Sequence, residues 1–415
     1  MNERKRVVIT GMGVISVLGP SLQGFWEGLL AGKSGIRRIT QFDASDMPCK
    51  IAGEIPDFKP EDYMDRRDAR RVSRAAQVSL AAARNALVDA GLPPVMPEPE
   101  KTGVVFGTAI GGMEKLDEAL LSLRSKGVDR LNPFSVPSGI PNLPAFLISR
   151  ELQCLGPSST ITTACATGTQ AVGEGAEFIR RGAAEVVLAG GVEAIIRDFA
   201  IGGFSAMRAL PTNYNDDPEK ASRPFDAKRE GFIFSEGAAC LVLESLEHAL
   251  ARGARIYAEI GGHASSCDGY DMAAPEPEGR GAIRCMRWAL KDAGLNPENI
   301  DYINAHGTST PLNDSTETKA IKGVFGEHAY KLAISSTKSM LGHAMGASGA
   351  LESIICALTI HNGIIAPTIN YENPDPACDL NYTPNHPRQM EVNTTLSNSF
   401  GLGGQNACII LKKYK

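Results

Sequence analysis

The sequence predicts an α/β protein whose sheets are mostly buried. Short runs of apolar residues alternate along the chain with longer segments in which apolar residues recur at helical spacing. The short runs contain few polar residues, which is typical of strands covered by helices on both faces. With 415 residues, the chain is long enough for more than one domain.

The same rhythm occurs twice along the chain. In the first half, we predict strands at 7–11, 103–107 and 185–189 and helices at 71–91 and 173–181. In the second half, we predict strands at 256–265, 302–304, 332–335, 394–400 and 407–411 and helices at 279–294, 314–325 and 347–362. Each half also ends in a strand–turn–strand signal, at 233–243 and at 396–411. This repetition predicts two similar halves, residues 1–253 and 254–415.

Composition excludes several classes of protein. A net charge of −5 argues against general binding of nucleic acid, which requires a basic surface. The nine cysteines show no zinc-binding spacing, and a disulfide framework is not expected in so long a chain. No signal peptide or long apolar span is present, so we expect no membrane insertion. We expect a cytoplasmic protein, or a plastid or mitochondrial one if a transit peptide has been removed.

A stretch of small residues surrounds the first candidate for a reactive side chain, Cys165. Residues 159–169, STITTACATGT, place this thiol between an apolar strand and a helix. A thiol at the start of a helix meets free N–H groups and the positive end of the helix dipole, and both favour the reactive thiolate. The alternative is a buried, inert cysteine, which is what we expect of the other eight.

Two histidines follow later strands in similar surroundings. His306 lies in NAHGTSTP, residues 304–311, and His343 in SSTKSMLGHAMGASG, residues 335–349. Side chains at the carboxyl ends of strands lie where α/β proteins place their active sites. A histidine bonded into a turn explains the first motif alone equally well. One cysteine and two histidines at consecutive strand ends nevertheless predict covalent catalysis.

Two further features of these loops carry weaker signals. Lys338 either holds a charge near His343 or is an ordinary solvated lysine. The segment SNSFGLGGQN, residues 397–406, has glycines that let the backbone bend around a ligand and offer N–H donors to an oxyanion. Taken alone, this segment is also compatible with a simple hairpin turn.

The segments TACAT, NAHGTST, STKSMLGHAMGASG and NSFG, in this order, give the chain a specific resemblance. It resembles the β-ketoacyl-acyl-carrier-protein synthases of the type I/II group, most of all the synthase II type, over essentially its whole length. The resemblance implies the thiolase-like fold, in which two duplicated halves form a five-layered αβαβα sandwich, and a homodimer. It also implies fatty-acid elongation by decarboxylating Claisen condensation, without a metal or a cofactor apart from the phosphopantetheine of acyl carrier protein.

The same resemblance implies a role for individual residues. Cys165 matches the nucleophile, and His306 and His343 match the pair that assists decarboxylation of malonyl-carrier protein. The backbone N–H groups of Cys165 and Phe400 match the oxyanion hole. The remaining matches are Lys338 with a supporting network of Asp314, Glu317 and Glu352, the arm-binding Thr308 and Thr310, and the pocket residues Ile110 and Leu402. We expect Asp314 and Glu317 to share a charge network with Lys338, because buried charges need partners.

Carrier protein is acidic, so a net-negative enzyme needs local positive charge where the two proteins dock. Candidates for this docking surface are Arg66, Arg67, Arg70, Arg71 and Arg74 on one short segment, together with Arg130 and Arg208. Such complementarity speeds encounter more than it fixes affinity. For each arginine, the alternative is a place on a solvated helix face.

One position departs from the family pattern. Where the family has a gating phenylalanine in a GFGG segment, this chain has Leu402, which leaves the preferred acyl chain length open. Two alternatives to fatty-acid elongation also stay open. A ketosynthase of a type II polyketide pathway shares these motifs, and a noncatalytic chain-length-factor subunit shares the fold but lacks the nucleophile.

Overall fold

The computed structural model describes residues 4–415. The strands are β1 Val7–Ser16, β2 Arg37–Arg38, β3 Ile51–Ala52, β4 Thr102–Thr108, β5 Ser158–Ser159, β6 Val186–Glu193, β7 Gly237–Ser245, β8 Ala258–Cys267, β9 Tyr302–Asn304, β10 Ala333–Ser335, β11 Ile364–Ile365, β12 Arg388–Gln389, β13 Thr394–Gly401 and β14 Gln405–Lys412. The α-helices are α1 Leu22–Leu30, α2 Arg66–Ala69, α3 Arg74–Ala90, α4 Met113–Lys126, α5 Ser135–Gly139, α6 Leu143–Leu152, α7 Thr167–Arg180, α8 Asp198–Ala206, α9 Leu246–Ala251, α10 Arg280–Ala293, α11 Pro311–Phe325, α12 Lys338–Leu341 and α13 Met345–Asn362.

Ten strands form one sheet in the order β10-β9-β13-β14-β8-β1-β7-β6-β4-β5. The order divides between β8 and β1, which pair only through Val8 with Glu259 and Ile9 with Ala258. On each side of this division lie five strands. From the division outward, the order is β1, β7, β6, β4, β5 in the first set and β8, β14, β13, β9, β10 in the second. If the five strands of each set are numbered along the chain, both orders read first, fifth, fourth, second and third.

The pairing directions repeat as well. In the first half β1–β7 and β7–β6 are antiparallel, whereas β6–β4 and β4–β5 are parallel. In the second half β8–β14 and β14–β13 are antiparallel, whereas β13–β9 and β9–β10 are parallel. The two halves therefore have the same topology, although the exact division at 253/254 stays a prediction.

Helices cover both faces of each half-sheet. α7 and α13 pack against each other and lie between the two half-sheets, in contact with strands of both. α3 covers the outer face of the first half through β1 and β7, and α10 covers that of the second half through β8 and β14. The result is five layers in the order helix, sheet, helix, sheet, helix, with the two central helices in the largest apolar core.

Most predicted elements are confirmed within a few residues. The exception is the strand–turn–strand predicted at 233–243, which is wrong. Only β7 forms there, and residues before it make isolated bridges, Phe234 with His343 and Ser235 with Gly53. The apolar pattern also fails to predict α4, because Glu114 is that helix's only buried residue and no apolar stripe faces a core. Between residues 4 and 415, no helix is both long and apolar enough to cross a membrane.

Candidate active site

Cys165 lies on a 3₁₀ turn, Ala164–Ala166, directly before α7. The backbone of Ala164 has a φ of 50°, a conformation that costs energy for a residue other than glycine. Only 5% of Cys165 is exposed, and it lines a cavity of about 420 Å³. A strained turn at the start of a helix, open to a buried cavity, is the setting of an active-site nucleophile.

Both predicted histidines meet Cys165 in this cavity. The Sγ atom of Cys165 and one nitrogen from each of His306 and His343 all lie within 4.8 Å of one another. The two imidazole rings are nearly perpendicular, with centroids 5.4 Å apart. His343 Nδ1 lies 3.0 Å from Ser348 Oγ, while its Nε2 has no hydrogen-bond partner among the described residues. The trio that the sequence predicts is therefore assembled.

Burial governs protonation in the trio. It lowers the pKa of His306 and of His343 well below 6.5, and the charge of Lys338 lowers them further. Both imidazoles are therefore neutral at pH 7. Burial also raises the pKa of the Cys165 thiol to about 12, although Lys338 and the N–H of Leu402 oppose this shift. In the free protein, burial thus opposes the thiolate that the start of α7 favours.

Lys338 and Glu352 form a buried ion pair between α12 and α13. The ammonium contacts Glu352 Oε1, and each side chain is only 2% exposed. Burial raises the pKa of Glu352 to about 7 in spite of this partner. The lysine is therefore not a solvated surface residue. It supplies a fixed positive charge beside the trio.

The other two predicted network members have different partners, which corrects the sequence-based expectation. Glu317 accepts the backbone N–H groups of His306 and Gly307, each at 2.8 Å, and thereby holds the loop that carries His306. Asp314 accepts the backbone N–H of Phe225 at 2.8 Å and lies 3.7 Å from Arg229 Nε. Of the three carboxylates, only Glu352 pairs with Lys338.

The predicted substrate-binding residues divide into two groups. Thr308, Thr310 and Leu402 line the cavity, and the two threonine hydroxyls lie 3.0 Å apart. Ile110 does not line this cavity. Instead, it packs at the edge of the apolar cluster that contains Cys165 and Met345.

The backbone after β13 approaches Cys165 closely. A Cβ atom on Gly401 would lie 2.8 Å from the carbonyl oxygen of Thr163 and 3.1 Å from the backbone nitrogen of Cys165. The glycine thus lets the Phe400–Leu402 segment lie against the nucleophile's own N–H group. The N–H group of this segment that acts on the Cys165 thiol is that of Leu402. The arrangement therefore supports an oxyanion hole made by this backbone, and the donor role of Phe400 stays a prediction.

Three residues that contact the trio had no role in the sequence analysis. The thioether sulfur of Met345 lies 3.8 Å from Cys165 Sγ, Ser348 bonds His343, and the Phe232 ring meets the His343 ring edge-on at 5.4 Å. Met345 and Ser348 fall within the motif 335–349, whose small residues already indicate a crowded site. Phe232 has no comparable signal in the sequence.

The trio also has the spacing of metal ligands. A cysteine and two histidines are suitable donors for zinc. Lys338, however, is close enough to lower the pKa of all three groups. A fixed positive charge at that distance opposes a bound cation and favours anionic intermediates.

Comparison with known proteins agrees with this geometry. Residues 4–249 match the model of the β-ketoacyl synthase N-terminal domain, and residues 257–372 match that of the C-terminal domain. The chain belongs to the β-ketoacyl synthase family. The family motifs quoted above therefore lie on a chain that carries both of its domains.

Individual β-ketoacyl synthases match over the full length. The chain is 47% identical to 3-oxoacyl-[acyl-carrier-protein] synthase 2 of Synechocystis sp. over 100% of this chain and 99% of that one. It is 48% identical to the enzyme of the same name from Coxiella burnetii, with 99% of each chain covered. Among solved structures, a type II polyketide ketosynthase in complex with its acyl-carrier protein superimposes with a TM-score of 0.92 at 36% identity, and 100% of each chain is covered. A β-ketoacyl synthase from Burkholderia phymatum has the same TM-score at 35% identity, with 99% of this chain and 100% of that one covered. These likenesses confirm the thiolase-like fold.

The predicted docking arginines lie at two places around the site. Arg70, Arg71 and Arg130 share a surface depression of about 110 Å³ with Lys115, whereas Arg208 lines the large cavity. Arg67 is exposed on α2. One candidate is corrected: Arg74 bonds both oxygens of the buried Glu236, at 2.7 and 2.9 Å, so its charge is already paired.

Proposed function

We propose that this protein is a β-ketoacyl-acyl-carrier-protein synthase that elongates fatty acids. One observation carries the proposal: the Cys165 thiol and both imidazoles converge within 4.8 Å and line one cavity. Such a group can hold an acyl chain on sulfur and activate a second substrate beside it. The curated relatives at 47 and 48% identity are named for this reaction.

Acyl transfer is the first step. The thiol of Cys165 attacks the thioester of an acyl chain on carrier protein, and a new C–S bond forms. Its proton passes to a neutral imidazole, because the raised pKa of the thiol disfavours a free thiolate. The phosphopantetheine thiolate leaves and takes up a proton. Acyl-Cys165 remains in the cavity.

Condensation follows at the same place. The malonyl group on a second carrier loses CO₂, and the resulting enolate oxygen accepts hydrogen bonds from the neutral His306 and His343. A proton on His343 Nε2 requires that Nδ1 accept, and the Ser348 hydroxyl at 3.0 Å is able to donate to it. The enolate carbon then attacks acyl-Cys165, and N–H groups of Cys165 and of the Phe400–Leu402 segment stabilise the oxyanion. The C–S bond breaks, and the Cys165 thiolate leaves and takes up a proton, because the raised pKa of the thiol favours the protonated form.

Acyl carrier protein is the proposed partner. The solved ketosynthase that superimposes on this chain was captured with its own carrier protein. Arg208 provides positive charge at the cavity, and Arg67, Arg70, Arg71 and Arg130 provide it on the surface, which suits an acidic partner. Thr308 and Thr310 would bond the phosphopantetheine arm, which brings the substrate without any further cofactor.

We also propose a homodimer. The strand β5 forms an open edge of the sheet, and unpaired strand edges call for a partner. Exposed apolar side chains lie on the helices and loop before this edge, including Leu121, Val136, Phe146 and Leu155. Substituting Leu121 and Phe146 with glutamate should produce monomers in sedimentation experiments, whereas Val88→Glu, at a more exposed site on α3, should not. We further propose the cytoplasm as the compartment.

Polyketide synthesis is the second candidate function. Two of the solved ketosynthases that match come from systems described as a type II polyketide synthase and as an ishigamide ketosynthase/chain length factor, at 36 and 39% identity. The higher identity to fatty-acid-type relatives favours the first proposal. The presence of Cys165 and both histidines argues against a noncatalytic subunit.

The test is mass spectrometry of the protein incubated with acyl-carrier proteins of graded chain length. We expect one acyl adduct on Cys165 and none in Cys165→Ala. Cys267 is the exposed cysteine, so Cys267→Ala is the control for adventitious acylation and should react like the wild type. Acylation that persists in Cys165→Ala would overturn the proposal. Turnover of polyketide rather than fatty acyl starters would favour the second function.

A further inference from the structure

Glu193 is a buried carboxylate beside the active site that the proposed reaction does not use. It is the last residue of β6 and is fully buried. Within the described part of the chain, its hydrogen-bond donors are one hydroxyl and three backbone N–H groups, and no cation pairs with it. Burying a carboxylate without a counter-ion is costly, so its donors must provide the compensation.

The four donors come from two different loops. Three of them come from the end of β4 and the loop after it in the first half: Thr108 Oγ1 at 3.0 Å, the N–H of Ala109 at 3.0 Å and the N–H of Ile110 at 3.3 Å. The N–H of Gly346 at 3.2 Å belongs to the start of α13 in the second half. One carboxylate therefore ties together the two halves of the molecule directly behind Cys165.

The two segments that Glu193 connects, residues 108–110 and the start of α13, are in close backbone contact. A Cβ atom on Gly346 would lie 2.6 Å from the backbone nitrogen of Ala109. The neighbouring Met345 has a φ of 36°, which is rare for a residue with a side chain, and its sulfur lies 3.8 Å from Cys165 Sγ. An unusual backbone of this kind persists only where its surroundings fix it.

The apolar surface around Cys165 depends on the same two segments. Ile110 and Met345 belong to the apolar cluster that contains Cys165, one from each segment. An acyl chain on Cys165 would lie against this cluster, because Cys165 and Met345 belong to it and also line the cavity. Displacing the loop after β4, which carries Ile110 and neither histidine, would change the packing of this cluster and so the space for the chain.

We propose that Glu193 is a positioning residue for acyl-chain binding. Its hydrogen bonds hold the segments that carry Ile110 and Met345 in place around Cys165. This inference rests on the proposed function, since it concerns the chain that Cys165 carries. Burial raises the pKa of Glu193 to about 7, while its four hydrogen-bond donors act in the opposite direction. Glu193→Gln would replace one acceptor oxygen by an NH₂ group that faces N–H donors.

The test compares chain lengths and two half-reactions. In Glu193→Gln, we expect acylation of Cys165 by a long acyl chain to slow about tenfold, since small displacements near reacting groups are costly. Acylation by acetyl and decarboxylation of malonyl-carrier protein should stay within about twofold of the wild type. The control is Glu244→Gln, which alters a buried carboxylate bonded to Arg252 and His248 and should leave all three rates unchanged.

The outcomes are distinct. An unchanged rate for long chains, or an equal loss for all chain lengths, would overturn the role of Glu193. If Glu193→Gln does not fold, Thr108→Val removes one donor to Glu193, together with the acceptor of the Gly111 N–H, and should slow long-chain acylation in the same direction. Wild-type rates in that variant would overturn the inference. If the wild type itself is not acylated on Cys165, the proposed function fails as well, so the two failures are distinguishable.

Discussion

Gly401→Ala is the sharpest test of how the backbone around Cys165 works. Gly401 has φ −105° and ψ 157°, an extended conformation that alanine adopts without strain. The substitution therefore acts only through the added methyl group. That methyl would lie 2.8 Å from the carbonyl oxygen of Thr163 and 3.1 Å from the nitrogen of Cys165.

The size of the effect follows from these distances. Ordinary contacts begin at 3.4 Å, so the two backbone segments must separate by about 0.6 Å, the difference between 3.4 and 2.8 Å. Oxyanion donors act over a window of roughly 2.7–3.1 Å, so this displacement takes at least one donor out of range. We expect the rate of Cys165 acylation to fall by about 10²-fold. The stability cost should be about 1–3 kcal/mol, as for other overpacked sites.

The assay is single-turnover acylation followed by mass spectrometry, with calorimetry to confirm that the variant folds. Gly203→Ala is the matched control, because a Cβ atom at this position in α8 meets nothing within 4 Å. The control should acylate at the wild-type rate. Acylation of folded Gly401→Ala within about threefold of the wild type would refute the oxyanion role of this backbone.

Three further predictions concern the gate, the docking surface and pH. Leu402→Phe should change the acyl-chain profile more than it changes malonyl decarboxylation, because Leu402 lines the cavity; product analysis measures the first, and equal effects on both would contradict the gate. Arg67→Glu with Arg71→Glu should raise KM for carrier-bound acyl groups about tenfold, while Arg388→Glu, on the exposed β12, should not; identical steady-state kinetics would exclude docking there. Since the pKa of each histidine is lowered, the neutral imidazoles persist on acidification, and decarboxylation should stay constant from pH 8 down to 6.5 and fall only below that value. Since Glu352 beside the trio has a pKa of about 7, Glu352→Gln is the control, and a rate that titrates at pH 6.5 or above in both proteins would show that the histidines are not shielded.

Periodicity and motif position predict the α/β class and the catalytic trio from the sequence. Cys165, His306 and His343 each follow a strand, and parallel strands bring such residues to one edge of a sheet. The alternation of strands and helices also predicts two similar halves, because each half repeats the same order of elements. The local sequence pattern is therefore sufficient to predict the place of a residue when that place depends only on the strand or helix that carries it.

Partners distant along the chain could not be predicted in this way. Asp314 pairs with Arg229 rather than with Lys338, and Glu193 bonds Gly346 from 153 residues away. The protonation state of Cys165 could not be predicted from the sequence either. The N–H groups of a helix start are a local feature, whereas desolvation depends on the whole surrounding structure. Charge partners and pKa shifts are properties of packing, which periodicity does not encode.

The duplication explains why nucleophile and histidine meet. Cys165 follows β5, the third strand that the first half contributes to the large sheet, and lies two residues before α7 begins at Thr167. His343 follows the third strand of the second half, β10, and lies two residues before α13 begins at Met345. The two residues therefore occupy equivalent places, and the helices that follow them pack together in the central layer. Because both helix N-termini lie beside the cavity, both dipoles favour the negative charge that develops on sulfur and on the enolate. The same position of a repeated topology thus supplies the nucleophile in one half and a proton-handling imidazole in the other.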